Sequence, residues 1–319
     1  DDSGEPLVPA ADPARWWGTA ELSPGAPVAP EGASVRLSGS QVGTLLGCPR
    51  QWFLARRAAA EALRTSSASF GSVVHVLAEH GVRDGLTPEQ LSAQLERVWD
   101  DIPFDAVWFS ASERAEAEEA LERLAAWSEA RSGREVLGVE VPFEVQVRAG
   151  EVSMTLTGTV DRLDRDSSGR LVIVDFKTGR SVPTAADAAG LDQLGVYQLA
   201  ATMGAFDDLT GGQRAVAGGE LVYLRRNDGE HTYPKVLQQP SIEDTPYLAA
   251  EPPLSMLDDQ GRAEVGGQEQ YDTWVHQRLA AAGRVIAEGR FDATVGNGCS
   301  YCPFASSCPA RSEGRQVIR

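Results

Sequence analysis

Cysteine, histidine and methionine are all scarce in this 319-residue chain, at four, four and three residues, and 29 Lys and Arg stand against 46 Asp and Glu, a formal net charge of −17. Each shortage excludes something. Four cysteines in a chain of this length argue against a disulfide-built scaffold. No run approaches the roughly 20 apolar residues that a membrane span requires, so the expectation is a soluble, intracellular and cytoplasmic protein with no membrane partner. The shortage of positive charge argues against a domain that holds nucleic acid by bulk electrostatics, because phosphate neutralisation by Lys and Arg carries much of that affinity. Nucleic acid handled here would have to be delivered by something else or met by local clusters. Two clusters are present, Arg50, Arg56, Arg57 and Arg64, and the pair Arg225 and Arg226. Hydrophobic residues, at 42%, suffice for one good-sized core or two unequal ones.

Residues 1–36 carry Pro6, Pro9, Pro13, Pro24, Pro27 and Pro30 with Gly and Ala between them, a composition unsuited to helix or sheet, and read as a Pro-rich linker. Trp16-Trp17 interrupts it and is expected to dock on a surface. A chain that begins at Asp1 with such a linker reads as a piece of a longer one. Residues 37–310 are expected to form the folded domain and 311–319 a C-terminal tail.

Within the domain, Ser40 can cap a helix to about Leu63, and Phe70–Val82, Pro88–Trp99 and Ser110–Ser132 are helical in pattern. Strands follow at Leu137–Val147, Val152–Leu163 and Leu171–Lys177, then a helix at Ala186–Met203. Leu221–Arg226 and Thr232–Leu237 read as a hairpin around Asn227-Asp-Gly229. Glu243–Gly267 reads as an acidic loop and Tyr271–Glu288 as the last long helix. There is no internal repeat. The expectation is an α/β fold with a mixed central sheet flanked by helices.

The chemistry concentrates on two successive strands. In Val172–Thr178 the side chains alternate, so Asp175 and Lys177 share one face while Val174 and Phe176 point to the other. The preceding strand places Ser153, Thr155, Thr157, Thr159 and Asp161 on its polar face, and the Asp166–Gly169 turn returns the chain antiparallel. Two carboxylates and a lysine therefore converge. Such a set suits hydrolysis of a phosphodiester assisted by Mg²⁺ or Mn²⁺, which take oxygen ligands, with a lysine to orient water or neutralise developing charge. The plain alternative is a hairpin carrying a surface Asp-Lys pair.

Two helical features accompany it. His75 lies in Gly71-Ser-Val-Val-His75, where Val73, Val74 and Leu77 mark a helix and a neutral imidazole is a transition-metal ligand, although a lone helical histidine is commonly just packed or solvated. Gln193 and Tyr197, spaced i and i+4, put an amide and a phenol on one helix face. His231 and His276 read as packing or surface residues.

The cysteines are Cys48, in Gly47-Cys48-Pro49-Arg50, and the trio Cys299-x-x-Cys302-x5-Cys308, with Pro303 and Pro309 each following a cysteine. Their spacing suits a soft metal or an iron-sulfur cluster; four thiolates also suit zinc, and a disulfide framework or four inert thiols are the structural alternatives.

In order, Gly71-x-x-x-His75, Gly158-x-x-Asp161-Arg162, Asp175-x-Lys177 and Gln193-x-x-x-Tyr197 resemble the motif series of RecB-family nucleases, a branch of the PD-(D/E)XK superfamily, over roughly residues 35–310. The resemblance implies a restriction-endonuclease-like core. It implies that His75, Asp161, Asp175 and the backbone carbonyl of Phe176 hold the divalent metal, that Lys177 is the catalytic lysine, and that Gln193 and Tyr197 position DNA or the lysine. Glu140, in Val139-Glu140-Val-Pro-Phe143, is the candidate for a further site carboxylate that many relatives carry on the preceding strand. The cysteine pattern resembles the iron-sulfur staple of AddB-type nucleases, which implies a [4Fe-4S] cluster on Cys48, Cys299, Cys302 and Cys308, in preference to zinc, tying together the ends of the domain. Arg15-Trp-Trp-Gly18 and the high Ala, Gly and Arg content resemble actinobacterial AdnA/AdnB-type helicase-nucleases. The activity implied by the resemblance is that of a deoxyribonuclease for single-stranded or unwound duplex DNA ends, working in double-strand-break resection beside a helicase domain or subunit. The main rival is a catalytically silent DNA-end-binding or scaffolding module of such a complex, and a further rival is an RNA or small-nucleotide phosphodiesterase.

Overall fold

The computed structural model describes residues 34–58, 60, 66–99, 107–149, 152–229, 232–245, 264–265, 268–269 and 273–312. Trp16-Trp17, Arg64, His231, most of the expected acidic loop and the last seven residues lie outside them. Strand β1 (Ser34–Ser38) begins inside the segment expected to be linker and leads directly into α1 (Gly39–Gly47). Ser38, not Ser40, caps that helix, its hydroxyl accepting from Gln41 N at 3.3 Å.

The single helix expected to run to Leu63 is broken after Gly47. Cys48 is extended (φ −153°, ψ 98°) because the ring of the following proline disfavours helical backbone in the residue before it. Pro49, whose missing N–H is no loss in a first turn, then opens α2 (Pro49–Arg56). The break sets Cys48 at a corner between two helices. The helix expected over 186–203 is likewise divided, into α6 (Ala185–Ala189) and α7 (Asp192–Thr202), where Leu191 is extended at ψ 115°.

Helices α3 (Ser66–Asp84), α4 (Pro88–Trp99) and α5 (Val107–Ala130) precede the strands β2 (Glu135–Ala149), β3 (Val152–Arg165) and β4 (Leu171–Lys177). After α7 come the short α8 (Asp207–Thr210), the hairpin of β5 (Val216–Asn227) and β6 (Pro234–Pro240), the two-residue β7 (Glu264–Val265) and β8 (Gln268–Glu269), and α9 (Trp274–Glu288). The eight strands among the described residues join one mixed sheet in the order β6-β5-β4-β3-β2-β7-β8, with β1 added parallel to β3. β4 and β5 are also parallel, and the other pairs are antiparallel. The turn between β3 and β4 is built as expected: Asp166 Oδ1 accepts from Ser168 N and Arg170 N, each at 2.9 Å.

A separate core covers each face. On one, Leu37, Val42, Leu45, Met154, Leu156, Ile173, Leu194, Leu221 and Leu279 pack α1, α7 and α9 against the sheet. On the other, Val174, Phe176 and Val222 meet Val74, Leu77, Leu95, Leu121 and Trp127 of α3, α4 and α5. The alternation of β4 is thus realised: Val172, Val174 and Phe176 enter the second core, and Leu171 and Ile173 the first. The second core also holds an ionic network that the sequence pattern did not reveal. Glu220 pairs with Arg131 and Arg134, Arg162 with Asp164, and the Trp127 indole donates to Glu220 beneath the Arg162 guanidinium, 4.9 Å from its ring. Burying such charges is tolerable only because each has a partner.

The two ends of the described domain meet. Trp52 and Phe53 stack on Phe291 at 5.7 and 4.9 Å, Arg50 N donates to the Asp292 carbonyl, and Arg50 Nη2 donates to the Ser307 carbonyl. Among the described residues no helix is long and apolar enough to cross a membrane.

Candidate active site

Five elements deliver the candidate residues to one place: α3 carries His75, β2 Glu140, β3 Asp161, β4 Asp175 and Lys177, and α7 Gln193 and Tyr197. The β2–β3 register pairs Val139 with Arg162 and Val141 with Val160, which sets Glu140 between them opposite Asp161. Glu140 adopts φ +50°, a left-handed conformation that favours glycine and costs a side-chain-bearing residue on the order of 1 kcal/mol or more. Its carboxylate is thereby aimed at His75. The imidazole lies between two acids, Nδ1 3.4 Å from Glu140 Oε1 and Nε2 3.0 Å from Asp161 Oδ2. Asp161 Oδ2 also accepts from Phe176 N at 2.6 Å, which fixes it to the neighbouring strand.

Gln193 organises the other half. Lys177 Nζ donates to Gln193 Oε1 at 2.9 Å, and the amide nitrogen donates to Asp175 Oδ1 at 2.8 Å and to the Tyr197 hydroxyl at 3.0 Å. Lys177 Nζ is itself 2.6 Å from Asp175 Oδ2, so acid, amine and amide form a closed triangle. Two glycines allow it. A Cβ on Gly158 would stand 2.7 Å from the Phe143 ring and 2.9 Å from the Tyr197 ring, and one on Gly39 would stand 2.8 Å from the Gln193 Cα. Bare backbone at these two positions lets α7 settle against the sheet and against α1. Tyr197 meets Phe143 edge-on at 5.4 Å.

The electrostatics follow from crowding and burial. Asp175 is pushed up to about 6, chiefly by burial, with Lys177 opposing and Asp161 adding to the rise. Glu140 is raised by burial and then by the charge on Asp161. His75 is raised by its hydrogen bond to Asp161, against burial, and burial pushes the Tyr197 hydroxyl up to about 12. Three carboxylates thus share two basic side chains, and a proton on His75 offsets part of the excess negative charge.

The residues fit a hard divalent cation. His75, Glu140 and Asp161 each offer a ligand atom, all within 4.8 Å of one another, and Glu140 Oε1 is buried with no hydrogen-bond donor. The two carboxylates suit Mg²⁺ or Mn²⁺, and the imidazole favours the transition metal of the two. Of the residues expected as ligands, His75 and Asp161 fall in this group. Asp175 lies beside it, held by Lys177 and Gln193. Glu140, whose register the sequence left open, falls within it; its signal in the sequence was the Val139-Glu140-Val-Pro stretch on the strand before Asp161.

Cys48, Cys299, Cys302 and Cys308 are free cysteines lining one cavity, and Asp192 and Gln193 line the same cavity. Gly296 N donates to Cys299 Sγ at 3.3 Å, and that sulfur lies 3.8 Å from the Thr294 carbonyl. The sulfurs are not drawn into a group as tight as that of His75, Glu140 and Asp161, the one such group among the described residues.

The basic clusters are only partly available. Arg225 is buried and paired with Glu113 and Glu116, and Arg50 is committed to the Ser307 carbonyl. His276 is a core residue: burial lowers it to about 4, and its Nδ1 accepts from Thr273 N at the start of α9.

The family model of the PD-(D/E)XK nuclease superfamily matches residues 36–309. No curated protein matches the chain. Among solved structures, the crystal structure of SSO0001 is similar over 86% of each chain, at 14% identity and a TM-score of 0.36, too distant to bear on the site.

Proposed function

Because the chain belongs to the PD-(D/E)XK nuclease superfamily, we propose that it is a divalent-metal-dependent deoxyribonuclease that hydrolyses phosphodiester bonds. One observation carries the reading: the unbroken series of contacts from Glu140 through His75 and Asp161 to the backbone of β4, where Asp175, Lys177, Gln193 and Tyr197 close around one another. A surface Asp-Lys pair on a hairpin would not bury its aspartate or raise it to about 6.

His75, Asp161 and Asp175, with the carbonyl of Phe176 and the added carboxylate of Glu140, would hold Mg²⁺ or Mn²⁺. When bound, such an ion polarises a phosphoryl oxygen and lowers the pKa of a bound water. Lys177 keeps an ammonium beside Asp175 that orients water and neutralises charge on the phosphoryl oxygens. Gln193 fixes that ammonium by accepting from it, and Tyr197 fixes Gln193. The substrate is a single strand or an unwound duplex end. An acidic chain gains little from bulk attraction to DNA, so the strand is supplied by a helicase domain or subunit, as in the resection of double-strand breaks by AdnA/AdnB-type enzymes. The four cysteines would hold a [4Fe-4S] cluster of the AddB type, in preference to zinc; free thiols lining one cavity where the two ends of the described domain meet support this reading.

The silent-scaffold alternative is disfavoured by the joint presence of His75, Asp161, Asp175 and Lys177. End-labelled single- and double-stranded DNA, incubated with Mg²⁺, Mn²⁺ or chelator, decides between them. The expected result is metal-dependent cleavage that Asp175→Ala and Lys177→Ala abolish with unchanged circular dichroism. A wild type inert with both metals overturns the nuclease reading in favour of the scaffold.

A further inference from the structure

We propose that Arg180 grips a backbone phosphate of the nucleic-acid strand arriving at Lys177, and that Glu113 and Glu116 hold the same guanidinium while no strand is bound. The inference rests on the nuclease reading and names the positioning residue which that reading leaves unassigned.

The topology brings the parts together. β4 and β5 run parallel with Lys177 opposite Tyr223, and β5 continues to Asn227, so the chain just past Lys177 passes beside the last residues of β5. Arg180, three residues past Lys177, is anchored there by its backbone, its carbonyl accepting from Arg226 Nε at 2.6 Å. Its side chain leans back onto α5, where Nη2 donates to Glu113 Oε1 at 2.6 Å and to Glu116 Oε1 at 2.7 Å.

Those two acids do not depend on Arg180. Glu113 is 2% exposed and already has a buried partner, Arg225, whose Nη2 lies 3.0 Å from both of its oxygens and which also bonds Glu116. Removing Arg180 therefore leaves no uncompensated buried charge, the situation that makes breaking an interior ion pair expensive. The Arg180 side chain is 54% exposed, so solvent screens its side of the pair and limits what the pair contributes to stability. Arg225 is the structural cation, and Arg180 is a surplus one held at the surface next to the catalytic lysine.

Its present partners indicate what it can take instead. Nη2 alone makes both contacts to the acids, and a guanidinium turned to a phosphodiester can present its fork of N–H donors to two non-bridging oxygens. Arg226 adds a second cation beside it. On a chain of net charge −17, a cation released only when phosphate arrives adds local affinity without a standing basic surface.

The test is binding of a fluorescein-labelled single-stranded oligonucleotide by anisotropy, in chelator so that no cleavage occurs, across a series of salt concentrations. Arg180→Gln is expected to weaken binding and to reduce the slope of log K against log salt by about 0.7, the loss of one phosphate contact. Glu116→Gln is expected to tighten binding, because it removes a competitor for Arg180. A merely structural clamp predicts the same direction of change for both variants, since both break the same ion pair. An unchanged slope in Arg180→Gln, or weakening in both variants, overturns the assignment to Arg180 while the nuclease reading stands. A wild type with no salt-dependent affinity for the strand overturns the nuclease reading and this inference with it. Circular dichroism of each variant confirms that the comparison is between folded proteins.

Discussion

Lys177 is held by Gln193: its ammonium donates to the amide oxygen at 2.9 Å, and the same amide's nitrogen donates to Asp175, the lysine's own counter-ion. No other orientation of the amide serves both neighbours, because an ammonium only donates and a carboxylate only accepts. Gln193→Ala frees both charges at once. It is expected to lower the metal-dependent cleavage rate by about 10²-fold, as misplacement of a catalytic group does, with metal affinity little changed. Single-turnover rates at saturating Mg²⁺ test this, and a rate within a few-fold of wild type would remove Gln193 from the positioning role.

Asp175 carries a cost that depends on pH. Its pKa in the folded protein is raised from the ordinary aspartate value of 3.8 to about 6, so the folded protein binds its proton more tightly than the unfolded chain does. Stability from this group is complete below about pH 4 and is lost as pH rises through about 6. Asp175→Asn should therefore raise the melting temperature of chelator-treated protein at pH 8, with a gain of up to about 3 kcal/mol, and should change little at pH 4. Thermal melts at the two pH values measure this. A destabilised variant at pH 8 would show instead that the Lys177 pair outweighs the burial of the carboxylate.

Glu140 is strained in a conformation glycine adopts freely. Glu140→Gly relieves on the order of 1 kcal/mol of backbone strain and removes a carboxylate whose charged form is disfavoured by burial. It is expected to raise the metal-free melting temperature while weakening metal binding. A fall in melting temperature of the size usual for glycine within a strand would show that the left-handed backbone is not the costly element.

The cysteine site is tested by its metal. Protein purified anaerobically is expected to be brown, with a broad visible absorption band and about four iron per chain. Cys48→Ser or Cys302→Ser should lose iron and solubility together, because the site would join α2 to the C-terminal segment. Stoichiometric zinc without iron would favour the tetrahedral thiolate site instead.

How far the site could be read from the sequence depended on the range of the interactions. The alternation in β4 separated Asp175 and Lys177 from Val174 and Phe176 correctly, because a period of two is a local property of the chain. Gln193 and Tyr197 share a helix face for the same reason at a period of 3.6. Pro49 was visible, yet the expected helix ran through it; the steric restriction on Cys48 prevailed over the helical pattern on either side. Glu140 could not be placed because its direction depends on one left-handed residue, which no periodicity encodes. Arg225 and Arg226 look alike in sequence, and only the packing of α5 on β5 separates the buried partner of Glu113 from the exposed neighbour of Arg180. The network around Glu220 is tertiary in the same sense: Arg131, Arg134 and Trp127 reach it from nearly a hundred residues away.

Everything proposed for the site depends on His75, Glu140 and Asp161 releasing a proton and accepting a divalent cation. Calorimetric titration of Mn²⁺ near pH 7, in two buffers of different ionisation enthalpy, measures binding and proton release together. His75 is raised by its hydrogen bond to Asp161, so it holds a proton more tightly than a free imidazole and the metal competes with that proton for the ring. The predicted result is saturable binding with net proton release, weakening as pH falls, and abolished in Asp161→Asn. Absence of saturable binding in the wild type, or equal binding in Asp161→Asn, would contradict it.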